Sequence, residues 1–252
     1  MNPILSELLR TKAHIGKSQW NREIAEYLVG FRNDQNIDSR SKKGRSSLYA
    51  IFDLEKTSIA IANVLSFFKN LHCNAFAHRS PHILLVTKLP ESTFQISKPI
   101  LSVVQDKWIG GMLTNWKQIS ESILIYSQFR TKYGSFLEKH NIHFPVYQKY
   151  QKRFQGIVVP AKIPGENSSF RLPDVLIVTH PKEYEIAILE ANHLKIPVIA
   201  FVDTDVDPKI LSKIDYIIPG NIKSPEFLLF CLNLFFTNIL SGEEREAQLR
   251  IL

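Results

Sequence analysis

Three short, almost uninterrupted apolar runs place the strongest constraint on what this chain can fold into. They are HILLVT at residues 82–87, DVLIVT at 174–179 and PVIAFVDT at 197–204. Runs of this kind predict strands that are buried on both faces, as in the centre of a parallel sheet. The segment KEYEIAILEANHLK at 182–195 has helical spacing of its apolar residues. The last two runs and this segment therefore predict a right-handed strand–helix–strand unit.

Further strands and helices extend this pattern. EYLVGFRN at 26–33 and SLYAIFDL at 47–54 predict two strands joined by a polar connection, and DYIIPGN at 215–221 predicts another short strand. Helical spacing begins at Glu55, and Ser224 is predicted to cap the last helix. We therefore expect an α/β fold with a mostly parallel sheet covered on both sides by helices.

The segment at 117–171 differs from the rest of the chain. Its first half has a helical pattern rich in Tyr, Lys, Gln and Phe, and its end is irregular and contains several prolines. We predict that it is a protruding insertion. Residues 1–116 then form the first part of the α/β domain, with an N-terminal element and a basic hairpin loop. Residues 172–252 form the second part and the C-terminal helix.

Charge and cysteine content narrow the classes of partner. The net charge of +7 favours polyanions, which include nucleic acid, acidic membranes and acidic proteins. No run of about 18 apolar residues exists, so a membrane span is not expected. Cys73 and Cys231 are too far apart for a zinc knuckle or a redox pair, and we predict that both are reduced, buried and structural. The scattered histidines predict no metal site.

Two stretches raise the question of catalysis. WIGGMLTNW contains Gly110 and Gly111 but no third glycine at dinucleotide spacing, and the chain has no P-loop motif, so nucleotide binding is not predicted. FVDTDVDP places Asp203 and Asp205 directly after an apolar strand. Haloacid-dehalogenase-like phosphatases use such a pair as nucleophile and acid/base with magnesium. A magnesium-dependent phosphohydrolase is therefore the enzymatic alternative, although little chain remains downstream for further ligands.

Several motifs, taken in chain order, resemble one family. WIGGMLTNW is similar to the signature of the bacterial-type small-subunit ribosomal protein number two, with Lys107 where that family has arginine. Lys17 stands where the family's N-terminal element has its second histidine. The resemblance covers nearly the whole chain. The other matching stretches are LLRTKAHIGK at 8–17, WN at 20–21, RN at 32–33, DLEKT at 53–57, ILLVTK at 83–88, LPDVLIV at 172–178, EANHLKIPVIAFVDTDVDP at 190–208 and IPGN at 218–221.

The resemblance implies a Rossmann-like (flavodoxin-like) domain with a helical protrusion and no enzymatic activity, cofactor or metal. It implies a structural constituent of the small ribosomal subunit whose partners are small-subunit ribosomal RNA and neighbouring ribosomal proteins. Membranes, small-molecule substrates and homo-oligomers are not expected. The chain departs from the family in the enlarged basic loop at 34–47, in the proline-broken segment at 89–99, and in Pro145, Pro160 and Pro164 of the insertion.

Residues for RNA contact are predicted from charge and from aromatic character. Cations neutralise phosphates, and an aromatic ring stacks on a base. A buried position in the core is the alternative for Trp20. For the loop cations, the alternative is that they lie on a solvated loop without binding RNA. The predicted set is Lys12, Lys17, Trp20, Arg22, Arg32, Arg40, Lys42, Lys43, Arg45, Asn115 and Lys117.

The glycine-rich stretch is predicted to be mainly structural. Gly110 and Gly111 permit a tight turn, Trp108 and Met112 anchor it in the core, and Thr114 with Asn115 caps the next helix. In the insertion, exposed aromatic residues are expected to contact proteins unless they belong to the core. These are Tyr147, Tyr150 and Phe154.

The compartment is inferred indirectly. The family motif begins within the first ten residues, which leaves no room for a removable presequence, and the chain is rich in Phe, Ile, Lys and Asn but poor in Gly. We expect the mitochondrial matrix, in the mitochondrial ribosome, with a plastid or the bacterial cytoplasm as alternatives. A free regulatory RNA-binding module is the remaining functional alternative.

Overall fold

A computed structural model of the chain describes residues 3–34, 47–74, 81–90, 101–105, 107–140, 143–154 and 172–249. A 3-10 helix at Arg22–Tyr27 precedes the first strand. The strands are β1 (Leu28–Asp34), β2 (Ser47–Phe52), β3 (Ile83–Thr87), β4 (Leu101–Gln105), β5 (Val175–Val178), β6 (Val198–Val202) and β7 (Tyr216–Pro219). The α-helices are α1 (Pro3–Arg10), α2 (Leu54–Asn74), α3 (Trp116–Lys139), α4 (Pro145–Phe154), α5 (Glu185–His193), α6 (Pro208–Leu211) and α7 (Pro225–Leu249).

Five strands form a parallel sheet flanked by helices, in the order β4-β3-β5-β6-β7. When these strands are numbered along the chain, the order is 2-1-3-4-5, which is the flavodoxin-like arrangement. Every residue of β3, β5 and β6 is buried. These strands are the three apolar runs, which are apolar because they are buried on both faces of the sheet. The prediction of an α/β fold with a parallel sheet is therefore confirmed.

One strand of the sheet was missed from the sequence. β4 pairs in parallel with β3, so that Leu101 lies beside Ile83. Its sequence, LSVVQ, carries two polar residues, and the prolines before it had suggested only a broken segment. Inside the fold the polar Ser102 is buried, and its hydroxyl lies 2.8 Å from Nε2 of His82. A hydrogen-bonding partner thus makes a polar residue acceptable in a buried strand.

β1 and β2 form a separate two-stranded antiparallel sheet, as their hairpin arrangement predicted. The predicted start at Glu26 was wrong, because Glu26 and Tyr27 belong to the 3-10 helix. Residues 14–17 line the other edge of β2: Gly16 N–H donates to the carbonyl of Ala50 at 2.8 Å, and Ala50 N–H donates to the carbonyl of Lys17 at 3.2 Å. The N-terminal element is therefore held against this small sheet.

The described part of the predicted insertion consists of α3 and α4, which pack through aromatic rings. Tyr126 lies 5.7 Å from Tyr147 and 6.5 Å from Phe154, measured between ring centroids. Tyr147 and Phe154 are buried, so they belong to this small core and are not surface contacts, while Tyr150 is half-buried. Pro145 begins α4, where its missing N–H has no helical partner to lose. The prolines at 160 and 164 lie outside the described residues.

The last helix begins as predicted. Ser224 precedes α7, and its hydroxyl accepts the backbone N–H of Phe227 at 3.3 Å, which is the expected N-cap bond.

Cys231 in α7 is buried, as predicted, and burial raises the pKa of its thiol. The side chain of Cys73 lies outside the described residues. Among the helices that are described, none has the length and apolar character needed to cross a membrane.

The chain divides into two compact units. The first contains Met1–Ala75, Thr179–Glu183 and Ile199–Leu252, and the second contains Phe76–Val178 and Tyr184–Val198. The predicted domain boundaries, after residues 116 and 171, stay a prediction. In the first unit, α2 packs against α7, β7 and α1, and in the second, α5 packs against β5.

Candidate functional site

In the first unit, the turn that follows β6 holds the N-terminal segment at residues 17–21 in place. The side-chain oxygen of Thr204 accepts the N–H of Lys17 at 3.1 Å and donates to the carbonyl of Gln19 at 2.7 Å. The N–H of Asn21 donates to the carbonyl of Thr204 at 3.0 Å, and the Asn21 amide donates to the carbonyl of Val206. We call residues 17–21 the clamped segment, because alternate residues are bonded to the turn.

The same turn holds a cluster of charges. The Lys17 ammonium lies 2.8 Å from Oδ1 of Asp205 and 3.3 Å from Oδ2 of Asp203, and Lys182 lies 3.4 Å from the other oxygen of Asp205. Only 1% of the Asp203 side chain is exposed, against 24% for Lys17. The Lys17 charge is thus matched inside the molecule, and its predicted contact with a phosphate stays a prediction that this geometry does not favour.

The pKa values reflect the different surroundings of the two carboxylates. Burial raises the pKa of Asp203 above its ordinary value, and the bond from Thr204 N–H and the charge of Lys17 offset this only in part. Burial also acts to raise the pKa of Asp205, but Lys17 and Lys182 outweigh it, so the pKa of Asp205 is lowered. The Lys17 pKa is raised, because its two carboxylates outweigh the effect of burial.

The phosphohydrolase alternative finds no support in this geometry. Asp203, the predicted nucleophile, is buried, its Oδ1 accepts the N–H of Thr204 at 2.7 Å, and its Oδ2 faces Lys17. No group of three or more His, Cys, Asp or Glu side chains suited to a metal ion occurs in the part of the chain that is described. The two aspartates bind a lysine of the same chain and thereby fasten the clamped segment.

The remaining predicted RNA-binding residues lie on the surface or outside the described residues. In the first unit Lys12, Trp20, Arg22 and Arg32 are exposed, and the indole of Trp20 lies 5.1 Å from the ring of Phe31. In the second unit Asn115 and Lys117 are exposed. The loop cations lie outside the described residues, and these are Arg40, Lys42, Lys43 and Arg45.

In the second unit, the carboxylate of Glu190 organises the glycine-rich turn. Its Oε1 accepts the N–H of Gly111 at 2.6 Å and the indole N–H of Trp108 at 3.2 Å. Its Oε2 accepts the N–H groups of Leu113 at 2.8 Å and Thr114 at 3.4 Å. Glu190 is buried. A negative charge near the N-terminal end of α3 is also favoured by the helix dipole.

The residues to which roles in this turn were assigned differ in conformation and burial. Gly111 has a φ of 83°, in the left-handed region that favours glycine, and Met112 is buried. Trp108 is only half-buried, so it does not anchor the turn in the core as predicted. The predicted caps stay a prediction: Asn115 directly precedes α3 and its carbonyl accepts the N–H of Ile119 at 3.2 Å, while its side-chain amide donates to Gln118 and the backbone N–H of Thr114 donates to Glu190.

Comparison with known proteins agrees with the motifs. Residues 8–242 match the family described as ribosomal protein S2. The chain belongs to the ribosomal protein S2 family. It is 30% identical over 256 residues to the small ribosomal subunit protein uS2m of Marchantia polymorpha, covering 98% of this chain and 96% of that protein. It is also 30% identical over 236 residues to uS2 of Thermus thermophilus, covering 89% of this chain and 82% of that protein.

Two residues that matter in this S2-family chain were not singled out from the sequence. Thr204 was treated as part of an aspartate motif, and Glu190 as part of a helix with apolar residues at 186, 188 and 189. In the structure Ile186 and Leu189 are exposed, whereas Glu190 is buried beside Ala187 and Ala191. The sequence did contain an indication of this role, because Glu190 shares a helix face with Ala187 and Ala191. An acidic residue on such an apolar face predicts a buried carboxylate that needs hydrogen-bond donors.

In this S2-family member, Gly16 lies directly before the clamped segment and close to the same turn, which leads to a prediction. A Cβ at this position would lie 2.7 Å from Cγ2 of Thr204 and 3.1 Å from the carbonyl oxygen of Ala50. We expect Gly16→Ala to lower the free energy of unfolding by about 2 kcal/mol, as overpacking does in a tight interior. Urea denaturation measures this. Gly30→Ala is the matched control, because nothing lies within 4 Å of its added Cβ, and equal losses for both variants contradict the prediction.

Proposed function

We propose that this chain is a structural constituent of the small ribosomal subunit that binds small-subunit ribosomal RNA and neighbouring ribosomal proteins. The observation that carries the proposal is the match to the ribosomal protein S2 family over residues 8–242. The relatives from Marchantia polymorpha and Thermus thermophilus are both named as small-subunit proteins. The net charge of +7 supports an RNA partner.

Electrostatic docking is the mechanism that the surface supports. Exposed Lys and Arg side chains neutralise phosphates and release counterions, so that affinity falls steeply as salt rises. Folded RNA is recognised mainly by its shape and backbone, and a rigid protein body suits that kind of recognition. The clamped segment supplies such rigidity next to Arg22, since Asn21 is bonded to the turn after β6. Arg32, on β1, is also exposed.

The proposal includes no catalysis, no cofactor and no small-molecule substrate. Asp203 and Asp205, the candidate catalytic pair, have a structural use as the partners of Lys17. We propose that a single copy acts within each subunit, and not a homo-oligomer.

For the compartment, we propose the mitochondrial ribosome. A mitochondrial-type relative, uS2m of Marchantia polymorpha, aligns with 98% of the chain. Bacterial relatives such as uS2 of Anaplasma phagocytophilum reach the same 30% identity over 90% of it. Subcellular fractionation with markers for mitochondria, plastids and cytoplasm tests this part independently of the ribosomal role.

Sedimentation of a cell lysate tests the main proposal. We expect the tagged full-length chain to sediment with small ribosomal subunits at low salt and to be released at high salt, because its contacts are mostly between cations and phosphates. Asp203→Asn is the matched variant that separates the alternatives. We expect the original chain to have no magnesium-dependent phosphatase activity; such an activity, if it is lost in Asp203→Asn, contradicts the proposal, as does a chain found only in free soluble fractions.

A further inference from the structure

Two exposed aromatic rings lie side by side in the first unit. Trp20 is 42% exposed and Phe31 is 44% exposed, their ring centroids are 5.1 Å apart, and their planes meet at 44°. Phe31 lies opposite Ala50 across the β1–β2 sheet, so Leu48 is its diagonal neighbour on the same face, and Leu48 is exposed too. We call these three residues the Trp20 patch. Large apolar side chains that are exposed together mark a contact surface.

The patch is held rigidly before any partner arrives. Trp20 lies between Gln19 and Asn21, and the backbone of each is bonded to Thr204. Phe31 is part of β1, whose partner β2 is bonded on its other edge to residues 14–17. The ring of Trp20 therefore projects from a fixed backbone. A partner that stacks on it loses little further conformational entropy on the protein side.

The charges around the patch indicate the chemistry of the partner. Arg22 follows Trp20 by two residues and is exposed, whereas Arg32, also exposed, directly follows Phe31 in β1 and therefore points to the opposite face of the sheet. Neither guanidinium forms an ion pair within the described residues. The centre of a protein interface is usually depleted of charge, whereas cations beside exposed aromatic rings are typical of surfaces that bind single-stranded RNA.

We propose that Trp20 and Phe31 form a platform on which an unpaired base of ribosomal RNA stacks, with Arg22 binding an adjoining phosphate. This inference rests on the proposed ribosomal function and goes beyond it, because it assigns a single-stranded nucleotide to a defined surface. An aromatic ring stacks on any base, so the platform recognises the single-stranded state more than the sequence.

Binding of the purified full chain to two RNA probes tests the platform. The probes are a single-stranded oligoadenylate and an RNA duplex of equal length. We expect Trp20→Ala to weaken single-strand binding by roughly tenfold, the loss typical of one stacked base, with duplex binding and the salt dependence unchanged. Trp20→Phe is expected to retain most of the affinity. Ile59→Ala, at a residue of α2 that is 60% exposed, is the control and is expected to change neither.

The outcomes separate this inference from the function on which it rests. An equal loss on both probes, or no loss from Trp20→Ala, overturns the platform while leaving the ribosomal role intact. Unchanged RNA binding with a reduced amount of Trp20→Ala in small subunits identifies the patch as a protein contact and also overturns it. A chain that binds neither probe and is absent from small subunits overturns both proposals. Thermal unfolding of each variant excludes misfolding as the cause.

Discussion

Glu190→Ala is expected to lower the free energy of unfolding by about 3 kcal/mol. The carboxylate is the shared acceptor for the N–H groups of Gly111 and Leu113 and for the indole N–H of Trp108. Its removal leaves these donors without their partner in a mostly buried turn, and each buried donor that stays unsatisfied costs about 1–3 kcal/mol. Water reaches the half-buried Trp108 and Gly111 more easily than the buried Leu113. The expected total therefore lies near the lower end of the range for three unsatisfied donors.

Urea denaturation measures this effect, and two variants sharpen it. Glu190→Gln keeps one acceptor oxygen but places an NH₂ group against donors, so we expect a loss of roughly half that of Glu190→Ala. Glu185→Ala, at an exposed residue of the same helix, is expected to change stability by less than about 0.5 kcal/mol. A Glu190→Gln variant as stable as the original protein contradicts the role assigned to both carboxylate oxygens.

Lys17→Met is expected to destabilise the first unit by about 2–3 kcal/mol at neutral pH. Methionine retains most of the apolar stem but leaves the buried Asp203 facing no cation. Removing one partner of a buried ion pair costs about 3–5 kcal/mol, and the 24% exposure of the Lys17 side chain places this case below that range. Lys182→Met is the matched control: Lys182 also contacts Asp205, but it is mostly exposed, so its expected loss is small.

The pH dependence of Lys17→Met gives a second measurement. Burial already raises the pKa of Asp203, and the loss of Lys17 raises that pKa further. A carboxyl group with a raised pKa is most favourable to folding when protonated, and this contribution is lost as the pH rises through the folded-state pKa. The deficit of Lys17→Met should therefore shrink as the pH falls towards the ordinary aspartate value of 3.8.

A double-mutant cycle isolates the ion pair itself. In the Asp203→Asn background, Lys17→Met is expected to cost less than in the original chain, because the buried charge has already been removed. Equal costs in the two backgrounds, or a deficit that does not depend on pH, contradict the proposed coupling between Lys17 and Asp203.

Local spacing in the sequence was sufficient for most of the fold. The runs that became β3, β5 and β6 were predicted because a strand buried on both faces requires apolar side chains throughout. The cap at Ser224 was predicted for a similarly local reason, since the hydroxyl bonds to an N–H only three residues away. β4 was missed because the requirement is relaxed where a buried serine finds a histidine partner.

The partners of charged and polar residues were decided by tertiary structure alone. Lys17 was predicted to bind RNA from its charge, but folding places its ammonium beside Asp205, 188 residues further along the chain. Glu190 was unremarked, and folding places it beside Gly111, 79 residues earlier. Burial preference is a property of each side chain and its near neighbours, so it can be read from spacing. Hydrogen bonds and ion pairs need an approach of about 3 Å, and only the packed backbone brings such distant residues that close.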